Sequence, residues 1–272
     1  PPLPATDYRC GKRLHGRSRS GKISGRTRAL SGSMSIADNI ALVEEQIAAA
    51  CRHADRPRTS VQLMAVSKTH PPESILEAFA SGIRLFGENR VQEYAGKHTA
   101  LAAAGLLTDA TPASFHCIGP LQSNKTGRAV KIFDAVDTVD SLRLAERINQ
   151  AAASAGKRLP ILIEIKLSTE ASKHGLTPDK SELYQLLEKL PELDHLDPRG
   201  LMTVPPYADD PEQARPYFRR LRELRDSLAR QYPSLALHEL SMGMSHDFPV
   251  AIEEGATILR VGTAIFGVRP SP

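Results

Sequence analysis

The sequence predicts an α/β chain folded as a single (β/α)8 TIM barrel over residues 34–272. Three observations predict it. Short apolar runs alternate with longer amphipathic stretches eight times, the pattern of parallel strands joined by helical crossovers. The length of 272 residues suits one such barrel, and 41% apolar against 24% charged residues marks a globular chain with a sizeable core. The first strand runs into Val66-Ser-Lys-Thr-His-Pro-Pro72 without a glycine, whereas the open, doubly wound alternative needs a glycine-rich first turn.

Residues 37–54 form the first expected helix, with Ile40, Val43, Ile47 and Ala50 at helical spacing. Strands are expected at 63–66, 85–86, 115–118, 135–139, 161–167, 200–204, 237–240 and 257–261. Helices are expected near 73–81, 89–104, 123–132, 141–155, 179–190, 210–231 and 247–254. No linker interrupts 34–272, so that stretch reads as one domain.

The formal net charge of +4 is unevenly spread. Residues 1–33 hold eight Lys/Arg against Asp7 alone, a charge of +7, which leaves −3 for the rest. This Arg/Ser/Gly-rich segment has too few large apolar residues to form a core and is expected to be a disordered extension or upstream sequence, with Met34 as a natural start. A nucleic-acid role for it is the weaker reading. No apolar run approaches the roughly 18 residues of a spanning helix, so no membrane association is expected. Three scattered cysteines, Cys10, Cys51 and Cys117, fit a reducing cytoplasm and argue against disulfides. No His, Cys or Asp set has metal-ligand spacing, so no metal is expected.

In such barrels chemistry gathers at the C-terminal ends of the strands. The apolar runs end on Ser67-Lys68, on Gly87-Glu88-Asn89-Arg90, on Gly119 after His116, on Glu164 and Lys166, on Met202-Thr203, on Ser241 to Ser245, and on Arg260-Val-Gly-Thr263. A lysine at the mouth of an apolar strand is partly desolvated, which favours the neutral amine that forms a Schiff base. The plainer reading is a lysine whose stem packs while its head reaches water. Gly243 and Gly262 allow close backbone approach, Ser241, Ser245 and Thr263 add hydroxyls, and loops after strands seven and eight are the usual phosphate site of this fold. A lysine facing a phosphate site leaves two ligands open, pyridoxal phosphate or a sugar phosphate aldehyde. Arg260 would hold a pyridine nitrogen unprotonated, or else pair with Glu239 or Glu164.

The motifs AVSKTHP, LFGENRVQE, FHCIGPLQSNK, STEASKHGL, RGLMTVPP, ELSMGMSHDFPVAI and RVGTAIFG, in this order, resemble the YggS/PROSC family of pyridoxal-phosphate homeostasis proteins over essentially all of 34–272. The resemblance implies a fold type III barrel like the N-terminal domain of alanine racemase, with pyridoxal 5'-phosphate held covalently on Lys68. It implies Asn89 near the cofactor ring, Ser241 beside ring or phosphate, and Ser245, Gly262 and Thr263 on the phosphate. It implies Arg260 facing the pyridine nitrogen and Met202 and Met242 as pocket walls. Two departures stand out: Cys117 replaces an aromatic, and Lys166 replaces an asparagine and offers a second amine near the mouth.

Racemases on this barrel use an opposing tyrosine borne by a second domain. The chain ends at Pro272, so the expectation is a monomeric carrier that buffers the cofactor or delivers it to apo pyridoxal-phosphate enzymes, with no catalytic residues. Two alternatives remain open. A racemase-like enzyme would need an acid or base opposite Lys68, with His116 or Tyr207 the candidates, although His116 reads more simply as a structural histidine bonded to backbone. A class I aldolase would use Lys68 and the phosphate site without any chromophore.

Overall fold

A computed structural model describes residues 34–108, 113–168 and 174–267; the expected basic extension, 1–33, lies outside them. Eight parallel strands among the described residues close into a barrel in chain order. They are β1 (Gln62–Val66), β2 (Leu85–Glu88), β3 (Ser114–Cys117), β4 (Ala135–Val139), β5 (Leu159–Glu164), β6 (Leu196–Met202), β7 (Glu239–Met244) and β8 (Ile258–Val261), with β8 pairing back onto β1. The helices are α1 (Ile36–His53), α2 (Pro72–Ala80), α3 (Val91–Ala103), α4 (Thr126–Ile132), α5 (Leu142–Ser154), α6 (Ser181–Lys189), α7 (Arg215–Gln231), α8 (Phe248–Glu253) and α9 (Thr263–Phe266). Among the described residues no helix is long and apolar enough to cross a membrane.

Local chemistry sets the boundaries. Ser35 Oγ accepts the Asp38 N–H at 3.1 Å while the Asp38 carboxylate accepts from the Ser35 N–H, a capping box that starts α1. The stripe of Ile40, Val43, Ile47, Ala50 and Cys51 is then buried, and α1 packs on α8 and α9. Proline in the first turn of α2, α7 and α8 supplies a preset φ where no N–H is needed.

Three strands differ most from their sequence expectation: β5, expected at 161–167, is Leu159–Glu164; β6, expected at 200–204, is Leu196–Met202; and β7 runs further than expected. Strand seven was expected to stop at Leu240, yet β7 continues to Met244. The small residues Ser241 and Gly243 read as a turn, but the ladder from β8 carries them on, with a register shift between Ser241 and Met244.

Strand alternation splits the apolar residues into two populations. The larger lies between strands and helices and includes Phe86, Phe115, Leu201 and Leu240. The smaller fills the barrel lumen: Met64, Leu162, Met202 and Ile258 pack together, flanked by Leu85, Ile118 and Val204. This lumen layer lies between two cavities. One, of about 440 Å³, opens at the N-terminal ends of the strands beside Gln62, Ser114 and Ala135. The other, of about 830 Å³, opens at the C-terminal ends.

Candidate functional site

The C-terminal cavity collects Lys68, Asn89, Met202, Ser245, Arg260, Gly262 and Thr263, seven residues from five different strand ends. Lys68 follows β1 by two residues and is half-buried. On its two sides, Ser67 is fully buried and Thr69 takes a left-handed backbone with φ of 67°. Asn89 follows β2. Its backbone packs so closely on Gly119 that a Cβ there would sit 2.3 Å from the Asn89 carbonyl oxygen, so only glycine permits this arrangement of the β2 and β3 ends.

Arg260, on β8, is 5% exposed. Its Nη1 donates to Ser241 Oγ at 2.7 Å and its Nη2 to the Thr203 carbonyl at 2.8 Å. Burial pushes the guanidinium's pKa down, and the charges of Asp137, Asp247 and Glu164 push it back up. Of the two carboxylates weighed as a partner for Arg260, Glu239 pairs with Arg199 instead, while the charge of Glu164 does act on the guanidinium, whose hydrogen bonds go to a hydroxyl and a carbonyl. Ser241 therefore reaches the site through Arg260, as the residue that fixes its guanidinium.

The loops after β7 and β8 meet at this mouth. Ser245 Oγ accepts the Ala264 N–H at 3.3 Å, and Asp247 Oδ1 accepts the Met244 N–H at 2.6 Å. Thr263 opens α9, and a helix start leaves its first N–H groups without intrahelical acceptors, a setting suited to an anion. The donor set is thus one amine, two hydroxyls, a helix start and a fixed guanidinium. Its chemistry fits a phosphorylated aldehyde with a basic ring.

Several expectations need correction. Met242 is buried on the outer side of β7 in the strand–helix layer and does not wall the cavity, because alternation turns Ser241 inward and its neighbour outward. Gly243, expected to approach a ligand, packs instead on α8, where a Cβ would lie 2.6 Å from Ala251 Cβ. His116 lines the opposite, N-terminal cavity, so it does not face Lys68. Its Nδ1 lies 3.0 Å from Asp137 Oδ1, a carboxylate and not backbone. Tyr207 does line the C-terminal cavity, at its rim, with its ring 5.7 Å from that of His246. Lys166 follows β5 but is not among the described residues lining the cavity.

Sequence reasoning missed Lys97. Its ammonium is nearly buried and donates to the Ser67 carbonyl at 3.0 Å, Glu88 Oε1 at 2.9 Å and Glu93 Oε1 at 2.8 Å. The available signal was its place on the buried face of α3 with Val91, Tyr94 and Leu101.

Comparison with known proteins agrees with this fold. The model of the alanine racemase N-terminal domain family matches residues 39–270. A pyridoxal phosphate homeostasis protein of Aquifex aeolicus is 43% identical over 236 residues, 87% of this chain and 99% of that protein. One from Escherichia coli K12 is 40% identical over 236 residues, 86% of this chain and 97% of that protein. The solved structure of PipY from Synechococcus elongatus, with pyridoxal phosphate bound, has a TM-score of 0.74 and 40% identity, covering 86% of this chain and 100% of that one. An alanine racemase of Clostridium difficile shares the fold at a TM-score of 0.63 with 16% identity, covering 86% of this chain and 58% of its own.

Proposed function

The chain belongs to the pyridoxal phosphate homeostasis proteins, within the alanine racemase N-terminal domain family, and from that premise we propose that it binds pyridoxal 5'-phosphate covalently on Lys68 and buffers or delivers it without efficient turnover. The observation that carries this reading is the convergence of Lys68, Ser245, Gly262, Thr263 and Arg260 on one cavity.

Pyridoxal phosphate would supply an aldehyde that condenses with a lysine amine with loss of water, and a ring that withdraws electrons. The protein's residues would do the rest. Lys68, half-buried at a strand end, would present the amine. Ser245, Thr263 and the first N–H groups at Gly262 and Thr263 hold the phosphate. Asn89 flanks the ring, and Met202 forms the cavity floor, where it joins the lumen layer. Arg260 faces the ring nitrogen. A guanidinium does not give up its proton, and Ser241 and Thr203 fix its orientation, so it would leave a ring nitrogen placed before it unprotonated and the ring a weaker electron sink. That weakening supports a carrier over a racemase. The racemase-like alternative retains one candidate at the mouth, Tyr207, whose 76% exposure at the rim suits a lip better than a base held against a reacting carbon.

In this reading residues 34–272 form one cofactor-binding domain, acting as a monomer in the cytoplasm and handing its cargo to apo enzymes. The buried free thiols of Cys51 and Cys117 suit that reducing compartment. The deciding experiment is the visible spectrum of the purified protein and of Lys68→Ala, with borohydride reduction and peptide mapping. A yellow band lost in the variant and a reduced label on Lys68 support the proposal. A protein that cannot be reconstituted to a coloured form overturns it in favour of a sugar phosphate aldolase.

A further inference from the structure

We infer that Lys97 is the positioning residue of this site, setting the backbone on both sides of Lys68 through one buried ammonium; the inference rests on the reading of Lys68 as the cofactor lysine. An ammonium has three N–H donors. Those of Lys97 meet three acceptors: the Ser67 carbonyl, Glu88 Oε1 and Glu93 Oε1. Each acceptor leads back to the loop that carries Lys68.

Ser67 precedes it. The Ser67 N–H donates to the Gly87 carbonyl at 3.0 Å, its Oγ donates to Glu88 Oε1 at 2.7 Å, and its carbonyl accepts from Lys97 and from the His70 N–H at 3.1 Å. Thr69 follows it. Its N–H donates to Glu93 Oε1, the same oxygen that accepts from Lys97. The left-handed backbone of Thr69 is unfavourable for a β-branched residue and persists only where its surroundings hold it. The Glu93 carboxylate is that hold, and Lys97 fixes the carboxylate. The stack of His70 on Phe266, with ring centroids 4.8 Å apart, extends the same loop to α9 and so to the phosphate side of the site.

Glu88 is fully buried, and burial pushes its pKa up while the Lys97 ammonium pulls it down, so the ammonium is the group that stabilises a carboxylate there. Removing the ammonium leaves the Ser67 carbonyl, Glu88 Oε1 and Glu93 Oε1 without their shared donor, and the loop has reason to move. The amine of Lys68 would then still be present but no longer held at its approach to the aldehyde.

The test compares wild type with Lys97→Met. Stopped-flow capture of pyridoxal phosphate is expected to slow at least about tenfold, and the pH profile of the visible band to shift. Affinity for pyridoxine 5'-phosphate, which has no aldehyde, is expected to change less than about threefold. A folded variant with wild-type capture rate and pH profile overturns the inference, and so does an equal loss of both ligands, which would mark a merely structural role. If Lys97→Met does not fold, Glu93→Ala is read in its place and must slow capture and expose the Thr69 amide to hydrogen exchange. If wild type forms no covalent adduct, the reading of Lys68 falls and amide exchange alone decides: protection of Thr69 lost in the variant supports the positioning role, and unchanged protection overturns it.

Discussion

Ser245 Oγ lies 3.3 Å from the Ala264 backbone nitrogen and accepts its N–H, so a single hydroxyl ties the loop after β7 to the helix after β8. Ser245→Ala removes both this tie and one phosphate ligand of the proposed site. Affinity for pyridoxal phosphate is expected to fall about tenfold or more, the worth of a hydrogen bond to a charged group. Affinity for pyridoxal, which lacks the phosphate, should barely change. Equilibrium titrations with the two compounds check it, and equal losses would speak against a phosphate at Ser245.

Arg260→Gln is expected to act twice. It withdraws donors from Ser241 Oγ and the Thr203 carbonyl, both buried, at a cost of about 1–3 kcal/mol in unfolding experiments. It also removes the cation proposed to face the ring nitrogen. The loaded variant should exchange the α-proton of L-alanine for deuterium faster than wild type, as followed by proton NMR. Exchange at the wild-type rate would mean that Arg260 does not restrain the ring.

At the other mouth, burial pulls the His116 pKa down, but the charge and hydrogen bond of Asp137 outweigh it and the net shift is upward. The pair's stabilisation is then complete below the free histidine value of about 6.5 and is lost as pH rises through the higher folded value. Denaturant unfolding should find Asp137→Asn most destabilised relative to wild type near about pH 6, with the gap narrowing as pH rises. A gap that widens above neutrality would contradict the assignment.

Gly243 adopts φ of 91°, and a Cβ there would lie 2.6 Å from that of Ala251. Gly243→Ala should cost about 2–4 kcal/mol, combining left-handed strain with overpacking. The melting temperature should drop by about 2–4 °C for each kcal/mol. A drop under about 2 °C would mean that α8 yields easily.

The barrel was legible because period-two and period-3.6 patterns alternate plainly, and the mouth was legible because it is built from strand ends, which the sequence marks. What lay hidden depends on which way a side chain turns within a strand or helix. Met242 is adjacent to a residue facing the other way, and only the register of β7 decides its side, whereas His116 faces the lumen but at the N-terminal level, which the register of β3 sets. Lys97, four residues after Glu93, looks in sequence like an ordinary surface ion pair. Its burial is set by tertiary packing of α3 against the barrel, with Tyr94 on the same face stacked on Phe115. Length of β7 was misread because serine and glycine are poor strand formers in isolation, a preference that neighbouring strands override.

The lumen layer of Met64, Leu162, Met202 and Ile258 makes the barrel a cul-de-sac. In the proposed carrier, cargo taken in at the C-terminal mouth would leave by the same doorway, because among the described residues the lumen layer closes the axis. A recipient in that proposal would have to come to the same face, so loading and unloading would compete for a single threshold.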